Sequence, residues 1–193
     1  MKTTLALSLL FFTSSALAAV VGKDVTYKAG DTVMKGYLAA DDAIKDKRAG
    51  VLVVPEWWGA NDYARKRARM LASEGYVALV VDMYGNGQIA GNPTDAGALA
   101  GNINKNPPLA LARFQAAEKF LGSQPHVKKG EIAALGYCFG GGVVLNMARA
   151  GEPLKAVVSY HGVLATDVAV KPGGIRAKLR VFHGEADPIV PPE

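Results

Sequence analysis

Gly136-Tyr137-Cys138-Phe139-Gly140-Gly141-Gly142 is the stretch that decides how this chain folds. It has the spacing of the G-x-S-x-G nucleophile elbow, with cysteine where serine usually stands. The apolar run Ile132-Ala133-Ala134-Leu135 precedes it and reads as a strand. Val143-Val144-Leu145-Asn146-Met147-Ala148 follows and reads as a helix. A strand, a tight turn and a helix are what such an elbow requires. The reason is steric: a nucleophile raised on a strained turn leaves no space for neighbouring side chains, so glycine flanks it. The helix N-terminus then directs its dipole and free N–H groups at charge developing beside the turn.

Working outward, two buried-strand patterns precede the elbow along the chain. Gly50-Val51-Leu52-Val53-Val54 and Tyr76-Val77-Ala78-Leu79-Val80-Val81 are continuous apolar runs of the parallel-sheet type. Asn61 or Asp62 can cap a helix between them that runs to about Glu74, and Gly75 ends it. Val25-Thr26-Tyr27 and Met34 to Leu38 form a short hairpin around Ala29-Gly30-Asp31. The segment from Tyr84 to Pro108 is rich in Gly, Asn and Pro and reads as a long loop, a candidate pocket wall. A helix starts at Leu109, with Ala110, Phe114, Ala117 and Leu121 on one face. Ala156 to Tyr160 and Leu179 to His183 are two more strands. Strands alternating with helices predict a mostly parallel α/β sheet with right-handed crossovers and helices on both faces.

With 193 residues, 50% of them hydrophobic and 20% charged, one globular domain accounts for most of the chain. Residues 1–18 stand apart from it. Lys2, the apolar stretch Leu5 to Phe12 and the A-x-A pattern at Ala16 and Ala18 form a secretory leader, with cleavage expected after Ala18. This places the protein in the periplasm or outside the cell, with residues 19–193 as the domain. No later run is long and apolar enough to span a bilayer. The net charge of +5 is not gathered into a tract. The densest cluster, Arg65-Lys66-Arg67 with Arg69, falls on a predicted helix and reads as a solvated face. A nucleic-acid surface would need a basic stripe with interleaved aromatics. Small molecules are the expected partners, and a monomer the expected state. No pair of histidines or cysteines has metal-ligand spacing, G-x-G-x-x-G is absent after the first buried strand, and no cofactor is expected.

Cys138 is the only cysteine. In an oxidising compartment a structural cysteine would have a partner, so a lone thiol is either buried and inert or functional. Its place at an elbow favours function. A thiol nucleophile needs a base and a group to orient the base. In the α/β-hydrolase order of nucleophile, acid and histidine, Asp187 is the best-placed acid; the alternative is an ordinary Asp-Pro turn residue. The three histidines, His126, His161 and His183, all precede Asp187. His126 reads as a surface residue and His183 as a turn support. His161 is open to two readings, pocket lining or loop anchoring. None matches the expected base. The chain stops at Pro191-Pro192-Glu193, the start of a further helix. The expectation is therefore a truncated domain, inactive by itself, whose catalytic histidine lies beyond residue 193.

Pro55-Glu56-Trp57-Trp58-Gly59, Asp82-Met83-Tyr84-Gly85, the Cys138 elbow and His183-Gly184-Glu185-Ala186-Asp187 together resemble the dienelactone hydrolase family, from about Val25 to Glu193. The resemblance implies an α/β-hydrolase fold and hydrolysis of esters or lactones through an acyl-cysteine. It implies that Glu56 hydrogen-bonds the resting Cys138 thiol and restrains its ionisation. A carboxylate beside a thiol disfavours the thiolate, which agrees; the alternative is a solvated loop glutamate. Backbone N–H groups of Phe139 and Trp57 are the implied oxyanion donors. Tyr84 is either a pocket residue or a packing residue. Family members that act on dienelactone recognise its carboxylate with arginine, one of them from the loop after the Asp-x-Tyr segment. Gly85 to Asn104 contains no arginine or lysine. Two other readings share these residues: a thioesterase or other acyl-transfer enzyme, and a binding protein that lacks the base.

Overall fold

The computed structural model describes residues 20–166, 170 and 172–190. The leader at 1–18, with its cleavage point, and the terminal Pro191-Pro192-Glu193 lie outside the described residues. The chain builds one seven-stranded sheet in the order β1-β2-β4-β3-β5-β6-β7. β1 (Val20–Ala29) and β2 (Thr32–Asp41) form a ten-residue hairpin, longer than the short apolar patches suggest. β2 joins β4 (Val77–Val80) antiparallel. From β4 through β3 (Arg48–Val54), β5 (Val127–Tyr137), β6 (Ala156–Tyr160) and β7 (Lys178–Phe182) every pairing is parallel.

Parallel strands joined by crossover helices are covered on both faces, which is why their runs are apolar without alternation. Leu52 and Val54 of β3 point into one core with Phe114 and Leu121 of α3 (Pro107–Gly122) and Val144 of α4 (Phe139–Arg149). Val51 and Val53 point into the other, against α1 (Asp62–Ser73). α1 presents Ala64, Ala68 and Ala72, so it can lie close on the sheet. Asn61 caps it through its side chain and Asp62 is its first residue. Each large apolar side chain fully removed from water stabilises the fold by roughly 1.5–3 kcal/mol, so the two layers dominate its stability. β7 lies on the open edge, and all five of its residues are exposed.

Two sequence expectations are corrected. The stretch from Tyr84 to Pro108 is not all loop: it contains α2 (Pro93–Asn104), capped by Asn92 with Pro93 in the first turn. Ala96, Ala100 and Ile103 bury one face at helical spacing, but Gly97 and Gly101 lower the propensity and conceal the pattern. The arginines of α1 are not simply solvated. Arg65 pairs with Asp24 at 2.9 Å, Arg69 donates to the Tyr37 hydroxyl at 2.7 Å, and Arg67 donates to the Tyr137 hydroxyl at 2.8 Å. Their guanidinium groups lie over the same tyrosine rings, using the planar cation as an aromatic lid.

Candidate active site

The elbow has the backbone its sequence requires. Cys138 sits between the last residue of β5 and the first of α4 with φ 53° and ψ −114°. Among the described residues only Asn86, Cys138 and His161 have positive φ without being glycine. Two of the three therefore stand on neighbouring strand ends, and such outliers cluster at functional sites. A side chain at Gly136 would overlap the Gly140 carbonyl, and one at Gly140 would overlap the backbone of Val54 and Pro55. Those two glycines are fixed by close approach, since the turn folds tightly back and α4 begins against the end of β3.

Three strand ends deliver three side chains in one row. Tyr137, Tyr160 and Phe182 are register partners on β5, β6 and β7, with their rings stacked 5.2 and 4.9 Å apart. The ladder runs one residue further: Cys138 N–H donates to Tyr160 at 2.8 Å and His161 N–H to Phe182 at 2.9 Å. Cys138, His161 and His183 thus occupy consecutive places at the C-terminal edge of the sheet. The His161 and His183 rings stack at 6.1 Å.

Asp187 joins this row from the loop after β7. Its Oδ1 accepts the N–H groups of Ile189 at 2.9 Å and Val190 at 3.0 Å. Its Oδ2 lies 2.7 Å from His161 Nε2. The two backbone donors, then the nearby imidazoles, hold the carboxyl below its ordinary range. His183 Nε2 bonds the Val190 carbonyl and closes the loop, the turn-supporting place its position suggested. His126 is exposed at the opposite end of the sheet, its Nδ1 3.1 Å from the Lys45 carbonyl. The pairing of His161 with Asp187 was not legible along the chain, where 26 positions separate them. Its available signal was topological: adjacent parallel strands place their end residues side by side.

Burial pushes the Cys138 thiol up, the Phe139 N–H opposes this, and the charges of Glu56 and Asp187 push it up further. The resting sulfur is therefore a thiol at neutral pH. Glu56 acts through charge: no hydrogen bond joins it to Cys138 among the described residues, contrary to the bond implied by resemblance. Phe139 N–H faces the sulfur, and Trp57 N–H has no partner among the described residues. Tyr84 is 4% exposed, its ring 5.7 Å from that of Phe139. Its hydroxyl donates to the Trp57 carbonyl at 2.8 Å, so it is a packed residue and not an open pocket wall. Burial, then the Cys138 charge, raise the phenol well above its ordinary value, which keeps it a donor.

Asp82 is the site residue whose part the sequence concealed. Buried at the end of β4, it accepts four backbone N–H groups, from Tyr84, Gly85, Lys35 and Gly87. Nearby, a cavity of about 280 Å³ reaches Phe139 and Gly142 on the first turn of α4. It shares Asn104, Pro107 and Asn146 with a more apolar cavity of about 300 Å³ that runs along α4 past Val143 and Met147. Neither is lined by Cys138 itself. Among the described residues no group of three or more His, Cys, Asp or Glu is arranged to hold a metal ion, and no helix is long and apolar enough to cross a membrane.

The sequence profile of the dienelactone hydrolase family matches residues 34–193. A solved dienelactone hydrolase-like promiscuous phosphotriesterase from metagenomic libraries superposes with a TM-score of 0.85 at 37% identity, covering 90% of this chain and 72% of that one. The Usf protein of Aquifex pyrophilus is 30% identical over 150 residues, 74% of this chain and 62% of that protein. A carboxymethylenebutenolidase of Pseudomonas sp. strain P51 is 33% identical over 120 residues, 58% of this chain and 49% of that protein. The chain thus spans between about half and two thirds of the length of these two curated relatives.

Proposed function

The chain belongs to the dienelactone hydrolase family, and from that premise we propose that it hydrolyses carboxylic esters or lactones through an acyl-Cys138 intermediate. The observation that carries the reading is the strained elbow that sets Cys138 beside the first turn of α4. In this mechanism the Cys138 thiol gives its proton to an imidazole, and its sulfur attacks the carbonyl carbon. The N–H groups of Phe139 and Trp57 receive the negative oxygen. Collapse expels the alcohol, which takes the proton back. Water activated by the same imidazole then releases the acid and restores the thiol.

Asp187 orients that imidazole. His161 occupies Oδ2 but makes no hydrogen bond to Cys138, so it anchors the acid. The base of this mechanism is an imidazole that binds the carboxylate at a remaining lone pair. Until substrate arrives, burial and the Glu56 and Asp187 charges keep the thiol protonated, which protects an exported cysteine from oxidation. The segment from Gly85 to Asn104 has no cationic residue and the cavity past Val143 and Met147 is mainly apolar, so an uncharged acyl group fits better than a carboxylated lactone.

The test is intact-mass spectrometry after mixing with p-nitrophenyl acetate. A single acetyl adduct, absent in Cys138→Ala, is expected. An unmodified protein, or an adduct that survives the substitution, overturns the reading. Transfer of the acyl group to an added thiol in preference to water would favour the acyl-transfer alternative.

A further inference from the structure

We propose that the Tyr84 hydroxyl is a positioning group that aligns the Trp57 N–H beside Cys138, with Asp82 as its buttress. Residues 56–59 form a turn, closed by Gly59 N–H donating to the Glu56 carbonyl at 3.1 Å. The next carbonyl, of Trp57, accepts the Tyr84 hydroxyl at 2.8 Å, and the next, of Trp58, accepts Ala90 N–H at 3.0 Å. Three successive carbonyls are fixed, and in a planar peptide a fixed carbonyl also fixes the N–H of the residue that follows it. The Glu56 carbonyl thus sets the Trp57 N–H, which has no partner among the described residues, and the Tyr84 bond sets the next peptide, so both peptides that meet at the Trp57 Cα are held. Of the three anchors only Tyr84 is a side chain, and so the one that substitution can remove cleanly.

Tyr84 is held in turn. Asp82 Oδ1 accepts Tyr84 N–H at 3.0 Å and Gly85 N–H at 2.7 Å, and Oδ2 accepts Lys35 and Gly87 N–H, each at 2.9 Å. The ring packs on Phe139, whose own N–H faces the sulfur. One buried carboxylate thus sets the phenol, and the phenol ties the Trp57 turn to the first residue of α4. Describing the aligned N–H as an oxyanion donor rests on the hydrolase reading above; its alignment does not.

The experiment is Tyr84→Phe in the full chain, which removes the hydroxyl and keeps the ring. In amide NMR spectra the Trp57 and Trp58 resonances should shift and Trp57 should exchange faster with solvent, while distant amides stay in place. Asp82→Asn should move the same resonances. With ester substrate, kcat should fall about tenfold, KM should stay within about twofold, and Cys138 alkylation should keep its rate. Unmoved Trp57 and Trp58 amides overturn the proposal, and so does a raised KM at constant kcat, which would make Tyr84 a substrate contact. If the wild type hydrolyses no ester, the hydrolase reading fails and the amide spectra alone decide the positioning.

Discussion

Replacing Asp82 by Asn tests whether a single carboxylate organises the wall beside Cys138. The side chain is 2% exposed and accepts four backbone N–H groups at 2.7 to 3.0 Å, two on each oxygen. An amide of the same shape has one accepting oxygen. It can keep two of those bonds, and it turns NH2 hydrogens toward the other two donors. A buried donor left unpaired costs about 1–3 kcal/mol, so two of them cost about 2–6 kcal/mol. That is a large part of the roughly 5–15 kcal/mol that holds a typical domain together. Urea unfolding followed by circular dichroism at neutral pH measures the loss. With a slope of about 2 kcal/mol per molar, the midpoint should fall by about 2 M. Asp41→Asn is the control: Asp41 is comparably buried at 4% but accepts only the Ala43 N–H through its side chain, and should lose about 1 kcal/mol. If Asp82→Asn costs no more than Asp41→Asn, the four bonds are not what holds the loop, and the reasoning fails.

Glu118 on α3 faces Glu152, and burial first, then that neighbouring carboxyl, pushes it up from 4.5 to about 7. A raised value favours the protonated carboxyl in the fold. Its contribution is therefore complete below about pH 4.5 and is lost as pH rises through about 7. The full gap corresponds to a ceiling of about 3.4 kcal/mol at 1.36 kcal/mol per pH unit, which solvent access reduces to about 1–2 kcal/mol. Glu118→Gln should match the wild type near pH 4.5 and exceed it by that amount at pH 8; melting curves at the two values check this, and identical curves at pH 8 refute it. At the elbow, iodoacetamide should alkylate Cys138 with a midpoint above the ordinary thiol value, and Glu56→Gln should move that midpoint down and speed alkylation at pH 8. An unmoved midpoint would show that Glu56 exerts no restraint on the thiol.

Local patterns carried the fold because each expresses a local rule. The apolar runs at Val51 to Val54 and Val77 to Val80 show burial on both faces, and Asn61 is an N-cap in sequence and in space. α2 went unread because its glycines speak against a helix while its buried face, Ala96, Ala100 and Ile103, depends on neighbours from elsewhere in the chain. The same division runs through the site. Cys138 is legible because an elbow is built from adjacent residues.

The sequence by itself determined a strand–turn–helix elbow with one cysteine at its tip, in a parallel α/β sheet, since periodicity and the steric demands of glycine act over a few residues. Only the tertiary structure decided that His161 meets Asp187, that Asp82 gathers four backbone donors, and that Tyr84 anchors the Trp57 turn. Those contacts depend on which strand ends become neighbours. That order, β4-β3-β5-β6-β7, is set by how the whole sheet packs.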